Sequence, residues 1–186
     1  MIRTALDLAR VTGVVWGHPF ERPQTARWIL GNPDSPPGDL GLRLMDKLCD
    51  HVDVTGTGGV FIEQPLAPHE FPKDKRGRAQ INLMTVLKLH GYVFTALTVC
   101  RSRNIPAQMY HRQDVLAHFT GQPRFRERDD GKRACVARAK IIYGLDIGYD
   151  EADALALWDL GCARETPKAY LQARLERPIL PSRARS

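Results

Sequence analysis

Short apolar segments separated by turn-forming residues open the chain and predict strands. Residues 2–8 and 11–17 are rich in apolar and β-branched side chains, and the two residues between them suit a hairpin turn. Residues 25–30 predict a third strand after a connection that contains proline. Residues 60–62 are all apolar, as in strands that are buried on both faces. The first third of the chain therefore predicts a sheet that begins with hairpins.

Longer stretches with apolar residues at helical spacing follow. They predict helices over residues 39–52, 78–103, 113–119, 132–143 and 150–162, with one short strand over residues 107–110. Hairpin strands followed by alternating helices and strands predict an α/β fold, a mixed five-stranded sheet flanked by helices. The length of 186 residues fits one domain, which we assign to residues 1–166, followed by a basic C-terminal tail over residues 167–186.

The predicted helix over residues 78–103 is apolar on two sides, which is one more than packing on a sheet requires. The two sets are Ile81, Met84, Leu87, Gly91, Phe94 and Leu97 on one side, and Leu83, Val86, Leu89 and Val93 on the other. Both sides of this helix are therefore expected to be buried.

Composition and charge narrow the range of partners. The net charge is +6 at neutral pH, which suits a polyanionic partner such as nucleic acid. No apolar run approaches the roughly 18 residues of a membrane span, and the N-terminus lacks the layout of a signal peptide. We expect a cytoplasmic protein with no membrane partner. Four scattered cysteines predict reduced, mostly buried thiols rather than a zinc site: Cys49, Cys100, Cys135 and Cys162.

Four acidic residues occupy positions from which metal ions could be bound. Asp7 ends the first apolar run, Glu63 ends the run at residues 60–62, and Asp150 and Asp153 open the last predicted helix. Two strand ends and one helix start can bring four carboxylates together from distant parts of the chain. Hard divalent cations prefer such oxygen ligands, and nucleases use metal pairs for in-line attack at phosphate.

Each acid also has a structural interpretation. Asp7 alone suits a turn, and Asp150 at an N-cap with Asp153 three residues later resembles a capping box. Glu63 is harder to explain by structure, because an unpaired charge at the end of a buried strand is costly. Residues three apart share one face of a helix, so Asp150 and Asp153 can cap and also bind metal only if the helix start faces the sheet edge.

Basic residues concentrate between residues 101 and 140, where ten lysines and arginines face four acids. They predict a surface that contacts phosphates around residues 124–133, although a solvated loop of mixed charge is the simpler alternative. The residues concerned are Arg124, Arg126, Arg128, Lys132 and Arg133.

Taken together, these motifs resemble the RuvC-type Holliday junction resolvases of the RNase H-like superfamily. The resemblance rests on Ala-Leu-Asp-Leu-Ala-Arg-Val-Thr-Gly at residues 5–13, Phe-Ile-Glu-Gln at residues 61–64 and Asp-Glu-Ala-Asp-Ala-Leu-Ala at residues 150–156. It covers about residues 1–163 and implies an RNase H-like fold. It further implies a homodimeric, metal-dependent endodeoxyribonuclease that resolves four-way or other branched DNA junctions. We expect the dimer to form through the helix predicted over residues 78–103, because that helix is apolar on two sides.

The resemblance also implies roles for individual residues. Asp7, Glu63, Asp150 and Asp153 would bind two Mg²⁺ ions, for which Mn²⁺ can substitute, and Lys132 would stabilise charge on the phosphorane. Arg112 matches a further basic position of the family. The implied DNA contacts are Arg112, Arg124, Arg126, Arg128, Lys132, Arg133, Phe71 and His69.

The chain departs from the family pattern at two places. Leu8-Ala9 stand where bacterial members often carry Pro-Gly after the first Asp, and Leu66 and Phe71 lie in the loop that usually carries an aromatic wedge. These departures suggest a phage or prophage branch. Two other functions remain open: a related RNase H-like nuclease, either YqgF-type RNA processing or an exonuclease, and a branched-nucleic-acid-binding protein that does not cut.

Overall fold

A computed structural model describes residues 1–19, 21–65 and 83–176, without the side chains of residue 128 and residues 173–176. Its five strands are β1 (Arg3–Asp7), β2 (Val11–Gly17), β3 (Gln24–Ile29), β4 (Val60–Glu63) and β5 (Ala107–Tyr110). They form one sheet in the order β3-β2-β1-β4-β5. β1 pairs antiparallel with β2 and parallel with β4, and β4 pairs parallel with β5. The predicted mixed five-stranded sheet is confirmed.

Six helices follow the predicted order, with one addition. They are α1 (Pro37–Thr55), α2 (Leu83–Ser102), α3 (Arg112–Thr120), α4 (Arg128–Tyr143), α5 (Tyr149–Glu165) and α6 (Pro167–Glu176). Three of them end at glycines in the left-handed conformation, which have no Cβ to clash there. α6 occupies residues predicted as a basic tail, and its Tyr170 is buried against α5. The rest of that tail, residues 177–186, lies outside the described residues.

The sheet separates two apolar layers because its side chains alternate between faces. On one face, Ala5, Val15 and Phe61 pack with α5 and its neighbours α3 and α4. On the other face, Leu6, Val14 and Ile62 pack with α1 and α2. Helix α5 is buried continuously from Ala152 to Cys162, so it is the central helix of the domain.

Two glycines allow α5 to approach the sheet closely. A Cβ on Gly13 would lie 1.9 Å from the carbonyl oxygen of Asp150, and one on Gly161 would lie 2.3 Å from the Phe61 ring. Gly13 pairs with Asp7 across the hairpin. The first turn of α5 is therefore held directly beside the strand end that carries Asp7.

A buried polar network joins α5 to α3 and α4, the two helices beside it. Asp159 on α5 is fully buried, and its Oδ2 lies 3.0 Å from Nε2 of His118 on α3. The hydroxyl of Tyr143 on α4 donates a hydrogen bond to Asp159 Oδ1. A buried carboxylate without such partners is strongly destabilising, so this network fixes α3 and α4 against α5.

The expectation that no segment resembles a membrane span is wrong for helix α2. By length and composition it is apolar enough to cross a membrane, with a mean hydropathy of 1.4. The core helix of a globular protein passes the same test. Tyr92, Ala96 and Val99 of α2 are buried in the apolar layer that α1 and α2 form on one face of the sheet. The property is weak support for a membrane partner, and the predicted absence of one stays a prediction.

We predict that His51 makes the fold sensitive to acid. Its Nε2 lies 3.0 Å from Thr4 Oγ1 and its ring packs edge-on against Trp16 and Trp28, and burial lowers its pKa from 6.5 to about 4. As the pH falls from about 6.5 to about 4, the unfolded chain gains a proton that the folded protein excludes. Stability should therefore fall by about 2–3 kcal/mol over this window.

Urea unfolding of the wild type and of His51→Gln across this pH range tests the prediction. Glutamine keeps a polar partner for Thr4 but does not titrate, so the variant should lose most of the slope of stability against pH. An unchanged slope would show that another group is responsible.

Candidate active site

Two neighbouring strands end at carboxylates on the same edge of the sheet. Asp7 is the last residue of β1 and Glu63 is the last residue of β4, which runs parallel to it. The pKa of Asp7 is raised well above 3.8, first by burial and then by the negative charges of Glu63 and Asp153. Arg112 and Lys132 act in the opposite direction on the same pKa. The structure thus joins three of the four predicted acids in one electrostatic cluster.

Arg112 lies inside this cluster. It is the first residue of α3, directly after the strand that borders β4. Its Nη1 donates a hydrogen bond to Glu63 Oε2 at 3.2 Å, and its Nη2 lies 3.7 Å from Asp153 Oδ2. The sequence predicted only a DNA contact for Arg112, since nothing in the chain order indicates that it pairs with two of the acids.

Lys132 approaches the cluster from α4. Its Nζ lies 4.0 Å from Asp153 Oδ2 and 5.7 Å from the centroid of the Tyr149 ring. The side chain is only 18% exposed, although α4 is largely polar. Lys132 therefore lies beside one of the predicted carboxylates, and its role in the reaction stays a prediction.

Cys135 is a contact that sequence reasoning missed. It is fully buried on α4, and its thiol forms a hydrogen bond with Asp153. Burial, followed by the charge of Asp153, raises the pKa of this thiol to about 12, so it stays protonated and can donate. The only signal was its position three residues after Lys132, which places both side chains on one face of the helix.

Asp150 is close to the cluster by its backbone. It is the second residue of α5, and its carbonyl oxygen packs on Gly13, the hairpin partner of Asp7. Within the described part of the chain, no ion pair links its carboxylate to Arg112 or Lys132, the cations that pair with Glu63 and Asp153. The capping-box alternative is wrong, because the N-cap is Gly148 and no side chain caps the helix.

The donor chemistry of the cluster fits a hard divalent cation. Carboxylate oxygens are the ligands that Mg²⁺ prefers, and a cation would favour the ionised form of Asp7, whose pKa is raised by burial and then by the charges of Glu63 and Asp153. As the side chains stand, the described residues contain no group of three or more His, Cys, Asp or Glu side chains arranged to hold a metal ion. Instead, Arg112 and Lys132 pair with the carboxylates.

The basic surface is only partly described. Arg124 and Arg126 are exposed in the segment before α4, and Arg133 is exposed on α4, where it pairs with Asp130 at 2.5 Å. The side chain of Arg128 is not described, and His69 and Phe71 lie outside the described residues, as does Leu66. The proposed contacts of those residues with DNA therefore stay predictions.

Comparison with solved structures shows the fold. Thermus thermophilus RuvC superposes with a TM-score of 0.65 at 13% identity, covering 90% of this chain and 97% of that one. The chain has the fold of RuvC. A structure of T. thermophilus RuvC in complex with a Holliday junction substrate gives 0.65 at 13% identity, covering 89% and 95% of the two chains. The yeast mitochondrial Holliday junction resolvase Ydc2 gives 0.53 at 12% identity, covering 91% and 83%.

These likenesses extend over almost the whole RuvC chain, but their identities are low enough that they show the fold alone. No protein-family model and no curated protein matches the sequence. The RuvC-type fold implied by the three motifs is confirmed, whereas nothing in the comparisons supports a phage or prophage branch.

We predict that Asp7→Asn stabilises the metal-free protein. Because the folded state raises the pKa of Asp7 above its unfolded value, the ionised carboxylate opposes folding at neutral pH. An amide of similar shape removes that charge, so the melting temperature measured in EDTA should rise. The control Asp50→Asn changes an exposed acid on α1 and should alter stability by less than about 0.5 kcal/mol. A lower melting temperature for Asp7→Asn would contradict the prediction.

Proposed function

We propose that this protein is a metal-dependent endonuclease that resolves four-way (Holliday) or other branched DNA junctions. The observation that carries the proposal is the cluster of Asp7, Glu63 and Asp153 beside Lys132 and Arg112 at one sheet edge of a RuvC fold. A structural neighbour with this fold was solved in complex with a Holliday junction substrate, which supports branched DNA as the substrate class.

Four carboxylates would hold the cofactor. Asp7, Glu63, Asp150 and Asp153 would hold two Mg²⁺ ions, and Mn²⁺ would substitute because all the ligands are oxygens. When bound, the ions would supply a water of lowered pKa and would stabilise negative charge on the leaving oxygen. Cys135 keeps one oxygen of Asp153 oriented by its hydrogen bond.

The cationic side chains would contact the phosphate groups of the DNA. Lys132 lies at the cluster but is not fully paired, at 4.0 Å from Asp153, so it can stabilise charge that develops on the phosphorane. Three exposed arginines would contact the backbone of the DNA: Arg124 and Arg126 in the segment before α4, and Arg133 on α4. Binding should therefore weaken steeply with salt, with a slope on the order of −0.9 per neutralised phosphate.

We predict that Asp7→Asn and Glu63→Gln abolish cutting and preserve junction binding, since each removes a metal ligand but also removes charge that repels phosphate. The measurement is cleavage of labelled four-way, flap and duplex DNA and of matched RNA, with Mg²⁺ and with EDTA. Asp50→Asn serves as the control, because this exposed acid lies on the opposite face of the sheet. Cutting by either variant at the wild-type rate would refute the assignment.

The same assay separates the alternatives. Cleavage of RNA by a monomer would favour a YqgF-type nuclease, and degradation from ends would favour an exonuclease. A binding protein that does not cut is favoured by the ion pairs that already neutralise the carboxylates. Tight binding of the junction without cutting in any divalent metal would establish that function instead.

Lys132→Ala should slow cleavage about 100-fold while weakening junction binding only slightly, because its partner is charge formed in the transition state. Lys140→Ala is the matched control, since Lys140 is exposed in the last turn of the same helix. Single-turnover rates and binding isotherms give the two quantities. Equal, small effects of both substitutions would leave Lys132 without a catalytic role.

We further propose a homodimer formed through α2. The sequence predicted burial on two sides of this helix, and within the described chain one side remains exposed, with Leu83, Leu87 and Phe94 at its surface. Between α1 and α2 lies a groove of about 430 Å³ lined by Leu42, Met45 and Gly91 among others. A two-fold axis through this face would give the paired active sites that symmetric cutting of a junction needs. Like the proposed cytoplasmic location, this assembly awaits measurement.

Gly91→Arg should convert the dimer to a monomer without unfolding the chain. A Cβ on Gly91 meets no atom within 4 Å, so the substitution is free of clashes within one protomer but places a charge in the apolar groove. Gly91→Ala is the control: it should keep the dimer and stabilise the helix by up to about 1 kcal/mol. Light scattering at micromolar concentration reports the mass. A wild-type monomer, with and without junction DNA, would refute the proposal.

A further inference from the structure

The guanidinium of Arg112 occupies an unusual position for a residue expected at a DNA surface. It bridges two carboxylates that come from different elements, Glu63 at the end of β4 and Asp153 on α5. The Asp153 side chain is only 5% exposed and that of Arg112 is 26% exposed. Removal of one partner of such a partly buried ion pair leaves the other charge uncompensated, which is strongly destabilising.

The charges of the cluster show what Arg112 compensates. Within the described residues, the three carboxylates of Asp7, Glu63 and Asp153 lie near two cationic side chains, Arg112 and Lys132. Among the described carboxylates Lys132 pairs with Asp153, whereas Arg112 pairs with both Glu63 and Asp153, and both cations lower the pKa of Asp7. Arg112 therefore provides, within the chain, the cationic charge that a divalent ion would provide to the same oxygens.

We propose that Arg112 is an internal counter-ion which a divalent metal must displace, and that the displaced guanidinium then binds a DNA phosphate. This inference rests on the proposed metal-dependent function. A guanidinium pairs with carboxylates and phosphates through the same fork of N–H donors, so Arg112 can exchange one for the other. The consequence is coupling: DNA that receives Arg112 frees the carboxylates, and by linkage metal and DNA each strengthen the binding of the other.

The test measures metal binding rather than cleavage. Mn²⁺ is titrated into the full-length protein without DNA, and free Mn²⁺ is followed by electron paramagnetic resonance. Arg112→Ala should bind Mn²⁺ at least about tenfold more tightly than the wild type, a difference of about 1.4 kcal/mol. Arg112→Lys, a point charge without the fork, should lie between the two. In EDTA, Arg112→Ala should melt at a lower temperature, because the three carboxylates have lost a partner.

Two controls locate the effect. Lys140→Ala removes an exposed positive charge from α4 and should leave Mn²⁺ affinity unchanged, which separates local displacement from a general change in charge. Asp153→Asn in the Arg112→Ala background should abolish the gain, which places the ion at the cluster. A further titration adds junction DNA that carries a non-hydrolysable phosphate, in Ca²⁺-free buffer. This DNA should strengthen Mn²⁺ binding to the wild type more than to Arg112→Ala.

The outcomes for this inference and for the proposed nuclease are distinct. Equal or weaker Mn²⁺ binding by Arg112→Ala, in a wild type that cuts junctions, would overturn the role of Arg112 and leave the nuclease intact. Tighter binding by the variant, in a wild type that cuts no nucleic acid, would support the counter-ion role and overturn the nuclease. If Arg112→Ala does not fold, Arg112→Gln supplies the neutral variant, and the same affinity difference decides.

Discussion

Compensation of negative charge at one edge of the sheet is the constraint on which the rest of this structure depends. Parallel pairing of β1 with β4 ends two strands at the same edge, and both end in a carboxylate. Asp153 adds a third carboxylate from α5, and burial, followed by the charges of Glu63 and Asp153, raises the pKa of Asp7. Such a cluster is stable only with cations nearby. Arg112 and Lys132 provide them from helices that the Asp159 network fixes against α5.

Close packing of α5 delivers the third carboxylate to that edge. The helix is buried along most of its length, and it can reach the sheet because Gly13 and Gly161 leave room for its backbone and for Phe61. The same contact explains why Asp150 differs from Asp153: its carbonyl is pressed against Gly13, whereas the side chain of Asp153 enters the cluster. Stability and chemistry share this interface, so changes that loosen α5 are expected to weaken both.

The opposite layer of the protein has a different character. There α1 and α2 cover the sheet, yet α2 keeps large apolar side chains at its surface. Exposed apolar surface of this kind commonly marks a binding face. The charged edge and the apolar helix face lie in separate layers, so contact with DNA and contact with a second protein chain need not compete for the same residues.

The sequence by itself determined the strand and helix order, the mixed sheet and the identity of the acids. Period-two and helical patterns, glycine stops and the acids at strand ends are local signals, and local signals set these features. Tertiary structure decided what depends on distant contacts. It made α6 a packed helix through Tyr170, and it placed Arg112 and Cys135 at the carboxylates. No local pattern encodes the pairings at the carboxylates, because Arg112 lies 49 residues from Glu63 and 41 from Asp153, and Cys135 lies 18 residues from Asp153. These residues meet only when α5 docks on the sheet.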